Sequence, residues 1–192
     1  TKEGALIEPL SVGFYAAEQG NVGTGDTVVI LGSGCIGLVT LLACKAHGAG
    51  QIIVADLVQA RLDKAMELGA TAVINSGKED ALEKIKELTG GRGADVVFET
   101  AGSPVGTITL VGISSKEEIN YNFAQIMDKE ATIKSVFRYK NIYPKAIAAV
   151  ASGAIDVKNI VTHEFDLDHI KDAYDEAVNN KTDLVKAVIK VK

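Results

Sequence analysis

Three glycines and one aspartate carry the chemistry most plainly written in this chain. Gly32, Gly34 and Gly37 form a G-x-G-x-x-G turn directly after the apolar run Val28-Val29-Ile30-Leu31. Asp56 follows Gly37 by 19 residues, at the end of a second apolar run over 51–55. A β-prone run, a glycine turn, a helix-forming stretch and an acid at this distance together make the dinucleotide-binding fingerprint. Gly32 permits the tight turn, Gly34 lets backbone approach a pyrophosphate, and Gly37 lets the next helix pack close to the strand. The amides that open that helix then face the diphosphate. The Asp56 carboxylate accepts from adenosine ribose hydroxyls and repels a 2′-phosphate. As an alternative it caps a helix over 57–68, and both roles are compatible.

The other reactive residues are less specific. Arg61 lies either along the adenosine side of the pocket or on a solvated helix face. Thr100-Ala101-Gly102 and Val111-Gly112-Ile113 follow apolar runs, and their glycines either admit the nicotinamide half of a dinucleotide or serve ordinary turns. His47, His163 and His169 are isolated from any Cys, His or carboxylate at metal-ligand spacing, which favours solvated or capping roles. Cys35 and Cys44 flank one helix at a spacing that suits neither zinc nor a disulfide framework, so two reduced thiols in a cytoplasmic protein are expected. Glu8 precedes Pro9 and the helical pattern Leu10 to Gln19, where a carboxylate caps a Pro-started helix.

The elements that position these groups alternate. Strands are predicted at 27–31, 51–55, 71–74, 94–98, 107–111 and 132–137. Helices are predicted at 36–48, at 57–68 (Leu57, Ala60, Arg61, Ala65, Leu68 in rhythm) and at 79–88 (Leu82, Ile85, Leu88 on one face). This alternation predicts an α/β fold, a Rossmann doubly wound parallel sheet of about six strands in the order 3-2-1-4-5-6. After residue 138 the rhythm changes. Helices are predicted at 142–152 and 167–179, the second capped by Asp166 or Asp168 with Ile170, Ala173, Tyr174 and Ala177 on one face, then a last strand at 184–191.

One connection breaks the pattern. Parallel neighbours need a crossover of about a dozen residues or more, yet only Glu99 to Gly106, eight residues, joins the fourth and fifth predicted strands. Either residues that are not neighbours in the natural chain stand side by side near Pro104-Val105-Gly106, or the sheet is rearranged. The first is preferred, and it predicts a discontinuity between Gly102 and Thr107 and a natural polypeptide heavier than 20.2 kDa. The start at Thr1, without a methionine, likewise reads as the middle of a longer protein. Net charge is −5, which argues against nucleic acid or an anionic membrane as a partner. The longest apolar stretch, Cys35 to Cys44, is too short to span a bilayer.

Ala5-Leu6-Ile7-Glu8-Pro9-Leu10-Ser11-Val12-Gly13, the glycine turn, Val136-Phe137-Arg138-Tyr139 and Val161-Thr162-His163 together resemble the zinc-dependent medium-chain dehydrogenases. Within them the sorbitol (polyol) dehydrogenase and ketose reductase branch is the most similar. The resemblance covers essentially the whole chain. It implies three parts: 1–8 as the end of a catalytic domain, 9–137 as the NAD-binding Rossmann domain, and 138–192 as the C-terminal return to the catalytic domain. It implies that the family's Cys and His-Glu zinc ligands lie outside this chain, and that a helix between strands four and five is missing near 104–106. It also implies that Ile36, Asp56, Arg61, Val111, Gly112, Ile113, Val136, Phe137 and Arg138 contact NAD. Glu8 would be a zinc ligand or hold zinc-bound water, and Arg138 and Tyr139 would meet substrate hydroxyls. The implied activity is interconversion of a polyol and a ketose in a cytoplasmic homo-oligomer, dimer or tetramer, with this chain alone inactive. Two other readings of the glycine turn are a nucleotide-binding module without catalysis and a methyltransferase; the motifs at both ends weigh against the second.

Overall fold

Thr27–Leu31 forms β1, and its two faces belong to two different packing layers. Val28 and Ile30 lie in a large buried cluster with Ile52, Val54, Val96 and Phe98, whereas Val29 joins Ile53, Ala55 and Ile74 on the opposite face. Strand side chains alternate across the sheet, so a strand apolar at every position must be covered on both sides. The structure, a computed structural model of the 192-residue chain, describes residues 1–101, 109–111, 124, 126 and 132–191.

Around β1 the described elements are α1 (Lys2–Gln19), α2 (Cys35–Ala46), β2 (Gln51–Asp56), α3 (Gln59–Leu68), β3 (Ala72–Asn75), α4 (Ala81–Leu88), β4 (Val96–Glu99), β5 (Thr109–Leu110) and β6 (Lys134–Ser135). The chain continues through α5 (Tyr143–Ala151), β7 (His163–Asp166), α6 (Ile170–Asn179) and β8 (Ala187–Lys190). Strands β1 to β6 make one parallel sheet in the order β3-β2-β1-β4-β5-β6, as the alternation predicted. β7 and β8 make a separate two-stranded parallel sheet in register His163 to Ala187.

β5 pairs with β4, Phe98 beside Thr109 and Glu99 beside Leu110, so the sheet order is not rearranged there. The expected seam at 104–106 lies outside the described residues.

The boundaries carry several corrections. α1 does not start at Pro9 but at Lys2, capped by Thr1, whose Oγ1 accepts from the Gly4 amide at 3.1 Å. Pro9 sits inside the helix. It forfeits one amide donor, and the burial of Leu6, Leu10 and Phe14 around it keeps the helix continuous. Glu8 is therefore a mid-helix residue and not a cap. α3 starts two residues later than predicted, and Leu57 is 70% exposed ahead of it. In α4 the packed residues are Ala81, Ile85 and Leu88, while Leu82 is 61% exposed. α6 is preceded by a 3-10 turn at Leu167–His169, and its N-cap is His169 and not an aspartate. Of its predicted face only Ala173 is buried, and Ile170, Tyr174 and Ala177 are exposed.

α1 and α2 lie unusually close. A Cβ built at Gly13 would come within 2.6 Å of the Val39 carbonyl oxygen and 2.8 Å of the Thr40 nitrogen. Only a residue without a side chain permits this backbone-to-backbone approach. Farther along, the Phe14 ring meets His47 just beyond the end of α2 at 5.6 Å.

Candidate functional site

The glycine turn is held from three sides. Gly32 has φ +99° and donates its amide to Ala55 O at 2.8 Å. Thr100 Oγ1 donates within 2.9 Å of Leu31 O and 3.0 Å of Gly32 O, pinning the turn from the end of β4. A Cβ at Gly37 would fall 2.0 Å from Gly32 O, so the start of α2 can press onto the turn only because position 37 has no side chain. Gly34 differs: a Cβ there would meet nothing within 4 Å. The helix therefore opens onto free space, and its first-turn amides have no intrahelical acceptor. That is a cradle for an anion.

Asp56 sits beside this cradle at the carboxyl end of β2. Its Oδ2 accepts from the Ser33 amide at 2.6 Å and its Oδ1 from the Val58 amide at 2.9 Å. The second contact closes a turn but does not cap α3, whose N-cap is Val58 without a side-chain bond. The carboxylate thus belongs to the glycine turn itself. Among the described residues two buried side-chain polar atoms have no hydrogen-bond partner, Ser33 Oγ in the glycine turn and Arg61 Nε on α3. Buried polar atoms usually find partners, so an unpaired Ser33 hydroxyl in the glycine turn fits a polyhydroxyl, phosphate-bearing ligand such as NAD. Position 33 is one of the variable residues of the fingerprint, and nothing in the sequence marked its hydroxyl.

A second group gathers at the start of α2. The Glu8 carboxylate, exposed on α1, is near enough for its charge to act on both the Cys35 thiol and the Tyr143 phenol. Burial pushes the Cys35 thiol up, Lys186 draws it down, and Glu8 raises it again. Cys44 is buried and its thiol is likewise pushed up, so neither cysteine is activated as a nucleophile. Tyr143 begins α5, and its phenol is pushed up to about 12, first by the hydrogen bond with Tyr139, then by burial and the nearby charge of Glu8. The two hydroxyls are 3.1 Å apart, and the rings meet edge to face at 5.0 Å.

The segment after β6 supplies the remaining predicted residues. Val136 is buried and Phe137 is 79% exposed. Arg138 has φ +59°, and its guanidinium lies 5.5 Å over the Phe137 ring. Among the described residues no ion pair to Arg138 is found, so the arginine is not committed to the acids of the returning segment. Ile36 lies on the first turn of α2 and Val111 just after β5. Gly112 and Ile113 lie outside the described residues. His47 Nδ1 meets Ala43 O at 2.8 Å at the end of α2, and His163 Nδ1 meets Thr162 Oγ1 at 3.0 Å. Among the described residues no three His, Cys, Asp or Glu come together to hold a metal. The described residues do not by themselves fit a zinc site.

Comparison with known proteins agrees with this geometry. Residues 35–152 match the family model described as zinc-binding dehydrogenase. A sorbitol dehydrogenase from Bacillus subtilis is 42% identical over 200 aligned positions, which take in 98% of this chain and 57% of that protein. Because the chain has only 192 residues, the relative carries several positions inside the matched span with no counterpart here. A crystal structure of an Escherichia coli oxidoreductase/dehydrogenase of unknown specificity superposes with TM-score 0.91 at 44% identity, covering 100% of this chain and 58% of that one. An alcohol dehydrogenase from Escherichia coli CFT073 complexed with NADH superposes with TM-score 0.89 at 26% identity, over 99% of this chain and 59% of that one. The chain thus spans little more than half the length of the curated relatives it matches.

Proposed function

Since the chain belongs to the zinc-binding dehydrogenase family, we propose that it is the coenzyme-binding part, with one side of the substrate pocket, of an NAD-dependent enzyme that interconverts a polyol and a ketose. The observation that carries the cofactor half is the cradle: an open helix start at Gly34 with the Asp56 carboxylate bonded to the Ser33 amide beside it. NAD, when bound, supplies the acceptor for the hydride. The α2 amides would hold its diphosphate, and Asp56, freed from part of its bond to Ser33, would accept from a ribose hydroxyl. Ser33 Oγ and Arg61 Nε would gain partners at the same time. Ile36, Val111, Gly112, Ile113, Val136, Phe137 and Arg138 would flank the nicotinamide half.

On the substrate side, Arg138 presents a fork of donors that several hydroxyl oxygens can share, and Tyr139 adds one phenol. A pocket so equipped suits a polyhydroxylated substrate better than an apolar alcohol. Glu8 is assigned to the zinc side, with the remaining ligands supplied from outside this chain. Residues 1–8 and 138–192 are assigned to the catalytic domain and 9–137 to the coenzyme domain. The separate β7-β8 sheet supports the second of these divisions. Homo-oligomeric assembly and a cytoplasmic setting complete the reading; no helix among the described residues is long and apolar enough to cross a membrane.

The test is a pair of titrations with NADH and NADPH, followed by fluorescence. The wild-type chain should bind NADH at least about fivefold more tightly, because a carboxylate close to a 2′-phosphate costs more than about 1 kcal/mol. Asp56→Ala should narrow that gap. Equal affinity of the wild type for both would refute the assignment of Asp56.

A further inference from the structure

Four residues beyond Tyr139 in sequence, Tyr143 places a second phenol against the first. The loop that carries Tyr139 is bent by two non-glycine residues in the left-handed region, Arg138 just before it at φ +59° and Asn141 just after it at φ +57°. Such conformations are costly and persist only where surrounding contacts fix them. Here they fold the loop back so that Tyr139, packed against the main core cluster, meets Tyr143 at a hydroxyl separation of 3.1 Å. The two tyrosines are not equally anchored. Tyr139 rides on the bent loop, whereas Tyr143 is the first residue of α5, tied down one turn later by fully buried Ala146. Ile142, between them, is also buried.

We propose that Tyr143 is a positioning residue, whose hydroxyl holds the Tyr139 phenol in place for a substrate hydroxyl. This rests on the polyol reading above. A phenol has one donor and two acceptor positions. The bond to Tyr143 occupies one of these and leaves the remaining capacity of Tyr139 free for a ligand. The edge-to-face contact, with rings 5.0 Å apart and inclined at 65°, fixes the plane of the ring. The hydroxyl bond, in which either oxygen can donate, then holds the Tyr139 oxygen against its partner. Without that bond the loop must choose among orientations at the moment substrate binds, and affinity falls by the share of molecules wrongly oriented.

The experiment uses the full-length parent enzyme with Tyr143→Phe, Tyr139→Phe and the double variant, since phenylalanine keeps each ring and removes only the hydroxyl. Tyr143→Phe should raise KM for a polyol about 3- to 10-fold, the range of one neutral hydrogen bond. Its kcat should change less than twofold, and NADH affinity and KM for a short monoalcohol should stay unchanged. The double variant should be no worse than Tyr139→Phe alone, because Tyr143 acts through Tyr139. In parallel, the ring-carbon NMR signal of Tyr139 should shift in Tyr143→Phe, a readout that needs no turnover. Polyol turnover by the wild type with an unchanged KM in Tyr143→Phe overturns the inference and leaves the polyol reading standing. So does an additive loss in the double variant, or an unmoved Tyr139 signal. No polyol turnover by the wild type overturns both.

Discussion

Gly13→Ala sets two effects of opposite sign against each other. In an exposed helix the change would stabilise by about 1 kcal/mol, because alanine loses less backbone entropy than glycine. At position 13 the new methyl would meet Val39 O at 2.6 Å, Val39 C at 2.7 Å and Thr40 N at 2.8 Å. All three are backbone atoms inside α2, so no side chain can swing aside. Ordinary van der Waals contact for such pairs is about 3.5 Å, so the two helices must part by most of an ångström. Separating them opens gaps around buried Leu10, Phe14 and Leu38, a strain of about 1 to 3 kcal/mol. The second effect is the larger, and the net expectation is a loss of up to about 2 kcal/mol. The assay is urea unfolding of the chain followed by circular dichroism. A functional consequence follows from the same geometry, because α1 also carries Glu8 toward Cys35. The Cys35 thiol should therefore react faster with a thiol reagent in Gly13→Ala, as its burial is relaxed. If Gly13→Ala instead raises the unfolding midpoint, the close helix approach does not exist in solution and the placement of Glu8 loses its basis.

Four further outcomes are expected. In the full-length enzyme Arg138→Ala should lower kcat/KM for a polyol far more than for a short monoalcohol and far more than it weakens NADH binding, and equal losses on the two alcohols would show that the guanidinium does not read hydroxyls. Arg138→Gly should be more stable than Arg138→Ala by about 1 kcal/mol in thermal unfolding, because φ is +59° there; equal stabilities would deny the left-handed conformation. Acid should loosen the chain in a defined way. The Arg92 guanidinium, then the Thr27 amide, hold Asp95 below the usual carboxylate range, and Lys2 and Lys190 do the same for Glu164. Folded values depressed in this way contribute stability that is present above the unfolded value near pH 4 and is lost as pH falls through the folded one. Asp95→Asn should therefore flatten the drop in unfolding midpoint below about pH 4, and an unchanged acid limb would refute the pairing. Finally, the 192-residue chain alone should bind NADH yet oxidise no alcohol, since no metal-holding set of three or more His, Cys, Asp or Glu is found among its described residues; zinc-dependent turnover would refute this.

What the sequence alone determined lies within single elements or between direct neighbours. The order β3-β2-β1-β4-β5-β6 was legible because strands apolar on both faces demand helices on both sides, and parallel strands demand crossovers. The glycine turn was legible because its requirements are steric: a positive φ at Gly32 and no room for a Cβ at Gly37. Helix starts and faces were less legible. Pro9 looked like a first residue, but a helix whose apolar side is buried tolerates one missing donor. Leu57 and Leu82 fit the rhythm of their segments, yet Leu62 is buried in α3, and in α4 it is Ala81 that packs beside Ile85 against the core, because the distance and angle of the sheet decide which stripe is covered. β7 gave no clear signal, since its residues are half exposed and its partner β8 lies more than twenty residues away. The chemistry divides in the same way. Asp56 was marked by its spacing, but its bond to the Ser33 amide joins groups 23 residues apart. The approach of Glu8 to Cys35 and Tyr143, and the reversal that brings Tyr139 onto Tyr143, exist only once α1 has packed on α2 and the loop has taken two left-handed residues. Sequence patterns record what each segment must bury. The meeting of side chains from different segments depends on how those buried faces fit, and that is settled only when the whole core has closed.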